Sequence, residues 1–197
     1  VFIANPNNPT ATIVTAEEVE AFMKRLPEQV IVIFDEAYVE FAQGPDFPDS
    51  IGLARQGRKV FVLRTFSKAA SLAGLRVGYA IADPDAVALC NRIRQPFNVN
   101  TLAQVAALAA LEDDAHTAEI LLVLEAGKKY LYQEFASLGL ECVPSRANFI
   151  FVDVGQNAAA LCQRLLREGV IVRPMTSFGM ETALRISVGT PEENRRL

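Results

Sequence analysis

The sequence predicts an α/β fold, a mainly parallel sheet flanked by helices and followed by a smaller α+β unit. Three short apolar runs, "VFIA", "VIVIF" and "VFVLR", show no polar alternation, as strands buried on both faces do. Helical patterns separate the strand-like runs along the chain, and polar residues of an unusual kind follow each of the three runs quoted. The composition agrees: 51% hydrophobic and 21% charged residues over 197 positions are ample for a packed core.

The elements follow in order. After the opening strand, Thr15 and Glu18 form a capping box ahead of Val19, Phe22, Met23 and Leu26 at helical spacing. The strands "VIVIF" (30–34) and "VFVLR" (60–64) come next, then a strand in "LRVGYAIA". Asp83 with Pro84 behind it caps the helix "DPDAVALCNRI", and "TLAQVAALAALED" reads as an Ala-rich buried helix with Thr101 as its cap. A single long helical pattern runs from about 115 to 138 and meets Gly139, the expected C′ residue. Beyond it "ANFIFVDV", "NAAALCQRLLREG", "VIVRPM" and "ALRISVG" give strand, helix, strand, strand. The expected domain boundary is therefore at 112/113: residues 1–112 belong to a large domain, and 113–197 form the connecting helix and a small C-terminal domain.

Both ends read as cut. The chain opens on a strand without an initiator methionine, and "TPEENRRL" starts a capped helix (Thr190, Pro191, Glu193) and stops. A net charge of −4 with scattered Lys and Arg offers no footprint for nucleic acid. No apolar run approaches the roughly 20 residues a membrane span needs, and no secretory leader is present. The cysteines, Cys90, Cys142 and Cys162, are far apart and read as core thiols of a reducing compartment. A cytoplasmic protein with no membrane partner is expected.

In open parallel sheets ligands bind beyond the carboxyl ends of the strands. There "VFIA" is followed by "NPNNPT", "VIVIF" by "DEAY" and "VFVLR" by "TFSK", so Asn8, Asp35, Tyr38, Thr65, Ser67 and Lys68 are expected on one edge. Taken singly, each has an ordinary reading as turn, helix cap or solvated charge. Taken together, they suit pyridoxal 5′-phosphate. Lys68 supplies the amine for the cofactor's aldehyde, and a lysine pKa is readily lowered for work as nucleophile and base. A buried carboxylate such as Asp35 holds the proton on the pyridine nitrogen. Tyr38 and Asn8 can donate to the ring 3′-oxygen, and Thr65, Ser67 and Arg76 supply hydroxyls and a forked cation to the phosphate. The catalytic candidates are Lys68, Asp35 and Tyr38, and no metal is called for.

The motifs "NPNNPT", "DEAY", "TFSK" and "LAGLRVGY", in this order and spacing, resemble those of the fold type I pyridoxal-phosphate aminotransferases, and within them the subfamily that acts on histidinol phosphate. The resemblance covers essentially the whole chain. It implies a homodimer that transaminates L-histidinol phosphate with 2-oxoglutarate, a small-molecule amino donor and a 2-oxo acid. It also implies that Arg185 takes the substrate α-carboxylate, that Arg173 holds the substrate phosphate and that Asn148 lies in the pocket. Two positions depart from the family pattern. Ala11 stands where glycine is usual and is expected in an ordinary backbone conformation, and Ala70–Ser71 replaces an aromatic residue followed by glycine. An aromatic amino acid aminotransferase, a phospho-amino-acid decarboxylase and the cofactor domain of a transcriptional regulator share the fold and stay open as alternatives. His116, the single histidine, reads as a surface residue, and Asn98 and Asn100 read as turn residues.

Overall fold

In a computed structural model the chain is described over residues 1–42 and 44–197. These residues divide into two compact units, Val1–Pro6 with Ile13–Thr117, and Asn7–Thr12 with Ala118–Leu197. The division falls inside the long helix, five residues beyond the boundary expected from sequence, and the loop 7–12 groups with the second unit.

The first unit holds β1 (Phe2–Ala4), α1 (Ala16–Arg25), β2 (Val32–Asp35), α2 (Ser50–Arg55), β3 (Val60–Thr65), β4 (Gly78–Ile81), α3 (Pro84–Ile93) and α4 (Thr101–Leu111). Its sheet runs β1-β2-β3-β4; the first three strands are parallel and β4 is antiparallel to β3. Val32, Phe34, Val60 and Val62 point to one face and pack with Val19 and Met23 of α1 and Ala54 of α2. That helix–sheet layer buries every second strand position, while Ile33 and Phe61 are half-buried and Leu63 is exposed, so the strands are not buried on both faces as expected. Helix α1 starts at the expected capping box, with the Thr15 side chain accepting from the Glu18 N–H and the Glu18 carboxylate accepting from the Thr15 N–H. Asp83 caps α3 as expected. Helix α4 is capped by Asn100, whose Oδ1 accepts from the Ala103 N–H at 2.9 Å, so Thr101 is the first helical residue and not the cap. A second small core joins Phe66 and Val77 to Ala103 and Ala107 of α4.

The second unit holds most of α5 (Asp114–Ser137), then β5 (Cys142–Val143), β6 (Phe149–Asp153), α6 (Ala158–Arg167), β7 (Arg173–Pro174), β8 (Ala183–Ser187) and α7 (Pro191–Arg196). Its sheet is antiparallel in the order β5-β6-β8-β7. Leu131 and Phe135 of α5 pack on Ile150, Val152, Leu184 and Ile186 with Ala158 of α6. Gly139 follows α5 at φ 72 and its N–H bonds the Ala136 carbonyl, which ends the helix as expected. The strand expected from "VIVRPM" contracts to two residues, while β5 and α2 have no counterpart in the sequence reading. Cys90 is exposed and so is not the core residue expected, whereas Cys142 and Cys162 are half-buried; all three thiols are free. Among the described residues no helix is long and apolar enough to cross a membrane.

Candidate active site

In the first unit the candidate residues gather at the carboxyl ends of β2 and β3. Asp35 closes β2 and is exposed, which corrects the burial expected of it, because it faces away from the helix-covered side of the sheet; its Oδ1 accepts from the Ala37 N–H at 3.1 Å. That bond turns the chain sharply out of the sheet into Tyr38, which is buried. Because Asp35 pairs with Leu63 in the parallel register, Asp35 and Thr65 lie on the same face, opposite to the apolar core formed by Phe34 and Val62. Thr65 Oγ1 accepts from the Ser67 N–H at 3.1 Å, which folds "TFSK" back over the strand end. Lys68 is half-buried, and its ammonium lies 5.3 Å from the centroid of the Tyr38 ring. Arg76 sits in the left-handed region at φ 55, exposed, with Nη1 donating to the Ala73 carbonyl at 2.7 Å. A guanidinium has five N–H donors, so that bond leaves most of its capacity.

In the second unit Arg185 on β8 donates through Nη1 to Asn8 Oδ1 at 2.7 Å. The bond fixes the amide with its oxygen on the arginine and its NH2 group directed elsewhere as a donor. The Arg185 guanidinium also lies 4.9 Å from the centroid of the Phe149 ring. Arg173 is the direct cross-strand neighbour of Arg185 on the β7–β8 ladder, so the two cations share one face of the sheet. Asn148 is half-buried just before β6, and its carbonyl accepts from the Val188 N–H at 3.1 Å. The loop carrying Asn8 is tied down in the same unit: Asn7 N–H bonds the Thr12 carbonyl, Ala11 N–H bonds the Asn7 carbonyl and Arg146 N–H bonds the Ala11 carbonyl. Ala11 has φ 60, so the ordinary conformation expected of it is corrected to a left-handed one.

Several supporting residues escape a sequence reading. Asn5 is buried and holds both strands of the loop base, its Nδ2 donating to the Val14 carbonyl at 3.1 Å and its Oδ1 accepting from the Val14 N–H at 3.0 Å. Glu36 and Arg64 form an ion pair beneath Asp35. In the second unit buried Lys128 pairs with Glu125 and donates to the Ser145 carbonyl at 3.3 Å. The only sequence signal for these is a polar residue in the register of a core face. Among the described residues no His, Cys, Asp or Glu group could hold a metal ion. His116 is half-buried in the first turn of α5, and Asn98 accepts from Arg94 at 2.9 Å in the loop between α3 and α4.

A mainly parallel sheet with a lysine, a carboxylate, a phenol and hydroxyls at its strand ends, followed by an antiparallel unit with paired arginines, is the architecture of the fold type I pyridoxal-phosphate enzymes. The chain belongs to the class I and II aminotransferases, whose family model matches residues 1–197. It is 52% identical over 196 residues to a histidinol-phosphate aminotransferase 2 of Pseudomonas fluorescens, matching 100% of this chain and 53% of that protein. It is 50% identical over 195 residues to a histidinol-phosphate aminotransferase of Moorella thermoacetica, matching 98% of this chain and 50% of that protein. The solved histidinol-phosphate aminotransferase of Sinorhizobium meliloti in complex with pyridoxal-5′-phosphate superposes with a TM-score of 0.91 at 34% identity, over 100% of this chain and 54% of that one. The chain thus spans about half the length of the curated relatives it matches.

Proposed function

We propose that the intact protein is a pyridoxal-phosphate-dependent aminotransferase that moves the amino group of L-histidinol phosphate to 2-oxoglutarate, yielding imidazole-acetol phosphate and L-glutamate for histidine biosynthesis. The observation that carries the chemistry is Lys68, held 5.3 Å from the Tyr38 ring at the strand ends that also present Asp35. Identities of 52% and 50% to relatives named for this reaction support the substrate. The donor set fits the cofactor group by group. When bound, the cofactor supplies an electron sink for the bond-breaking at the substrate's Cα. Lys68 holds its aldehyde carbon and afterwards carries the proton between the two reacting carbons. Asp35 keeps the ring nitrogen protonated. Tyr38 and Asn8 donate to the ring oxygen, a role favoured for Asn8 by the amide orientation that Arg185 imposes. Thr65, Ser67 and Arg76 take the phosphate.

In the second unit Arg185 takes the α-carboxylate of glutamate and Arg173 the phosphate end of the other substrate, with Asn148 beside them. Two like charges opposed on one ladder repel each other, and an anionic ligand offsets that. The intact protein is a cytoplasmic homodimer in which residues 1–112 belong to a large domain and 113–197 to the connecting helix and small domain. The apolar outer surface of α4 supports the homodimer, and the free thiols support a reducing compartment.

The test is turnover by the intact protein of L-histidinol phosphate against aromatic amino acids as amino donors. Preference for histidinol phosphate is expected, and loss of the cofactor's visible band in Lys68→Ala. A covalent, borohydride-reducible cofactor retained by Lys68→Ala overturns the assignment of the lysine, and equal turnover of an aromatic donor overturns the substrate.

A further inference from the structure

On β2 and β3 the core face reads Val32, Phe34, then Glu36, and Val60, Val62, then Arg64. At the position where both strands reach the site the apolar series is replaced by a carboxylate and a guanidinium. Glu36 is 1% exposed, and its Oε2 accepts from Arg64 Nε at 2.9 Å and Nη2 at 2.8 Å. Burying such a pair is poor stabilisation, because desolvation offsets most of the Coulomb attraction. Its location gives it another use.

The last backbone rung between the strands is the Glu36 N–H bond to the Leu63 carbonyl at 2.9 Å. One residue later β2 turns away at Ala37, while β3 runs to Thr65 and turns into Ser67 and Lys68. Past that rung, the Glu36–Arg64 bonds tie the two strand ends together on the face opposite Asp35 and Thr65. Arg64 is anchored in turn, since Tyr79 of β4 is its cross-strand partner and Tyr79 packs on Phe66 with ring centroids 5.4 Å apart and the rings tilted by 45°. We propose that Glu36 and Arg64 are positioning residues that set the separation of Asp35 from the Thr65–Lys68 segment, and so the fit of one cofactor between a strand-end carboxylate and a strand-end lysine. The inference rests on the cofactor reading above.

Glu40 is the further carboxyl facing this pair. Burial pushes its pKa up, Arg64 opposes that and Glu36 adds to it. Making Glu36 neutral removes one of the causes of that rise, and the amide oxygen of Glu36→Gln can still accept from Arg64 in the same shape.

The experiment uses the intact protein as apoprotein and with pyridoxal phosphate, in four forms: unaltered, Glu36→Gln, Arg64→Lys and Val62→Ala. Val62→Ala removes buried methyl groups from the same strand and serves as the purely structural control. For Glu36→Gln the expected result is faster amide hydrogen exchange over 63–68 in the apoprotein, a shifted pH midpoint of the cofactor's visible band, and kcat lowered about ten- to a hundredfold with KM little changed, the scale of a small misplacement of reacting groups. Arg64→Lys, which keeps the charge and loses the fork, is expected to show the same signs in smaller measure and reads the proposal where Glu36→Gln does not fold. Val62→Ala is expected to lose stability while its band midpoint and kcat stay unchanged. If the folded variants of the pair behave as Val62→Ala does, the positioning role is overturned while the cofactor reading stands. If the unaltered protein forms no visible band with pyridoxal phosphate, the cofactor reading falls, and this inference with it.

Discussion

Ser71 lies three residues beyond Lys68, exposed, with φ 58. A side chain in that region crowds the following carbonyl at a cost of about 1–2 kcal/mol, and glycine relieves it. Glycine also enlarges the freedom of the unfolded chain, which returns roughly 0.4–1 kcal/mol of that gain. Ser71→Gly is therefore expected to stabilise the protein by about 0.5–1 kcal/mol. A midpoint of urea unfolding that stays put or falls contradicts the account. Ala11 at φ 60 is the same kind of position, but its methyl group is fully buried, so glycine there loses packing as it relieves strain. Neither conformation could be read from residue type, because alanine and serine do not announce a left-handed backbone; tertiary bonds such as Arg146 N–H to the Ala11 carbonyl impose it. Lys68, Asp35 and Tyr38 were legible for the opposite reason: reactive polar side chains at the ends of apolar strands are conspicuous in the sequence. Glu36 was not, since beside Asp35 it reads as one more polar strand-end residue until burial distinguishes it.

At the scale of elements, those that carry their own local signals were legible. The capping boxes at Thr15 and Thr190 and the Asp83–Pro84 start all begin helices where expected. Helix α2, with six residues, and β5 and β7, with two each, were missed or overextended, because pieces so short exist through tertiary contacts and not through periodicity. Helix α7 is as short, but its capping box signals it, and its docking depends on Gly127 of α5. A Cβ at that position would stand 2.5 Å from Val188 Cγ1 and 2.9 Å from Asn194 Nδ2. Asn194 is buried and bonds Gly189 twice, accepting from its N–H at 2.9 Å and donating to its carbonyl at 3.0 Å. Helix propensity alone favours alanine over glycine by about 1 kcal/mol. Overpacking costs about 1–3 kcal/mol and here acts on a branched side chain and a bonded amide, so it prevails. Gly127→Ala is expected to destabilise by about 1–2 kcal/mol in denaturant unfolding, and a stabilised variant would mean that α7 yields freely.

For the molecule as a whole, the governing feature is the apolar surface of α3, α4 and the loop between them. Helix α4, "TLAQVAALAAL", has no polar face apart from its ends and Gln104. One side, Ala103 and Ala107, packs against Phe66 and Val77. The other leaves Leu102 75%, Val105 62% and Leu108 65% exposed, with Ile93 at 86% and Phe97 at 99% beside it. A helix that is apolar all round belongs in an interior, so this outer side calls for a covering surface. Under the proposed homodimer a second copy supplies it. Small residues on the inner side and large ones on the outer side divide the work, one bringing α4 close to the sheet and the other offering area to a partner. Leu108→Glu places a charge on that exposed surface while leaving the buried Ala103 and Ala107 in place. In the intact protein it is expected to weaken association by about 2 kcal/mol or more per buried site, enough to give monomers in sedimentation at micromolar concentration. The same variant should keep its helix content, because glutamate is a good helix former. If Leu108→Glu protein stays dimeric at concentrations where the unaltered protein is dimeric, the second copy does not cover this face, and the covering surface belongs to the rest of the intact chain.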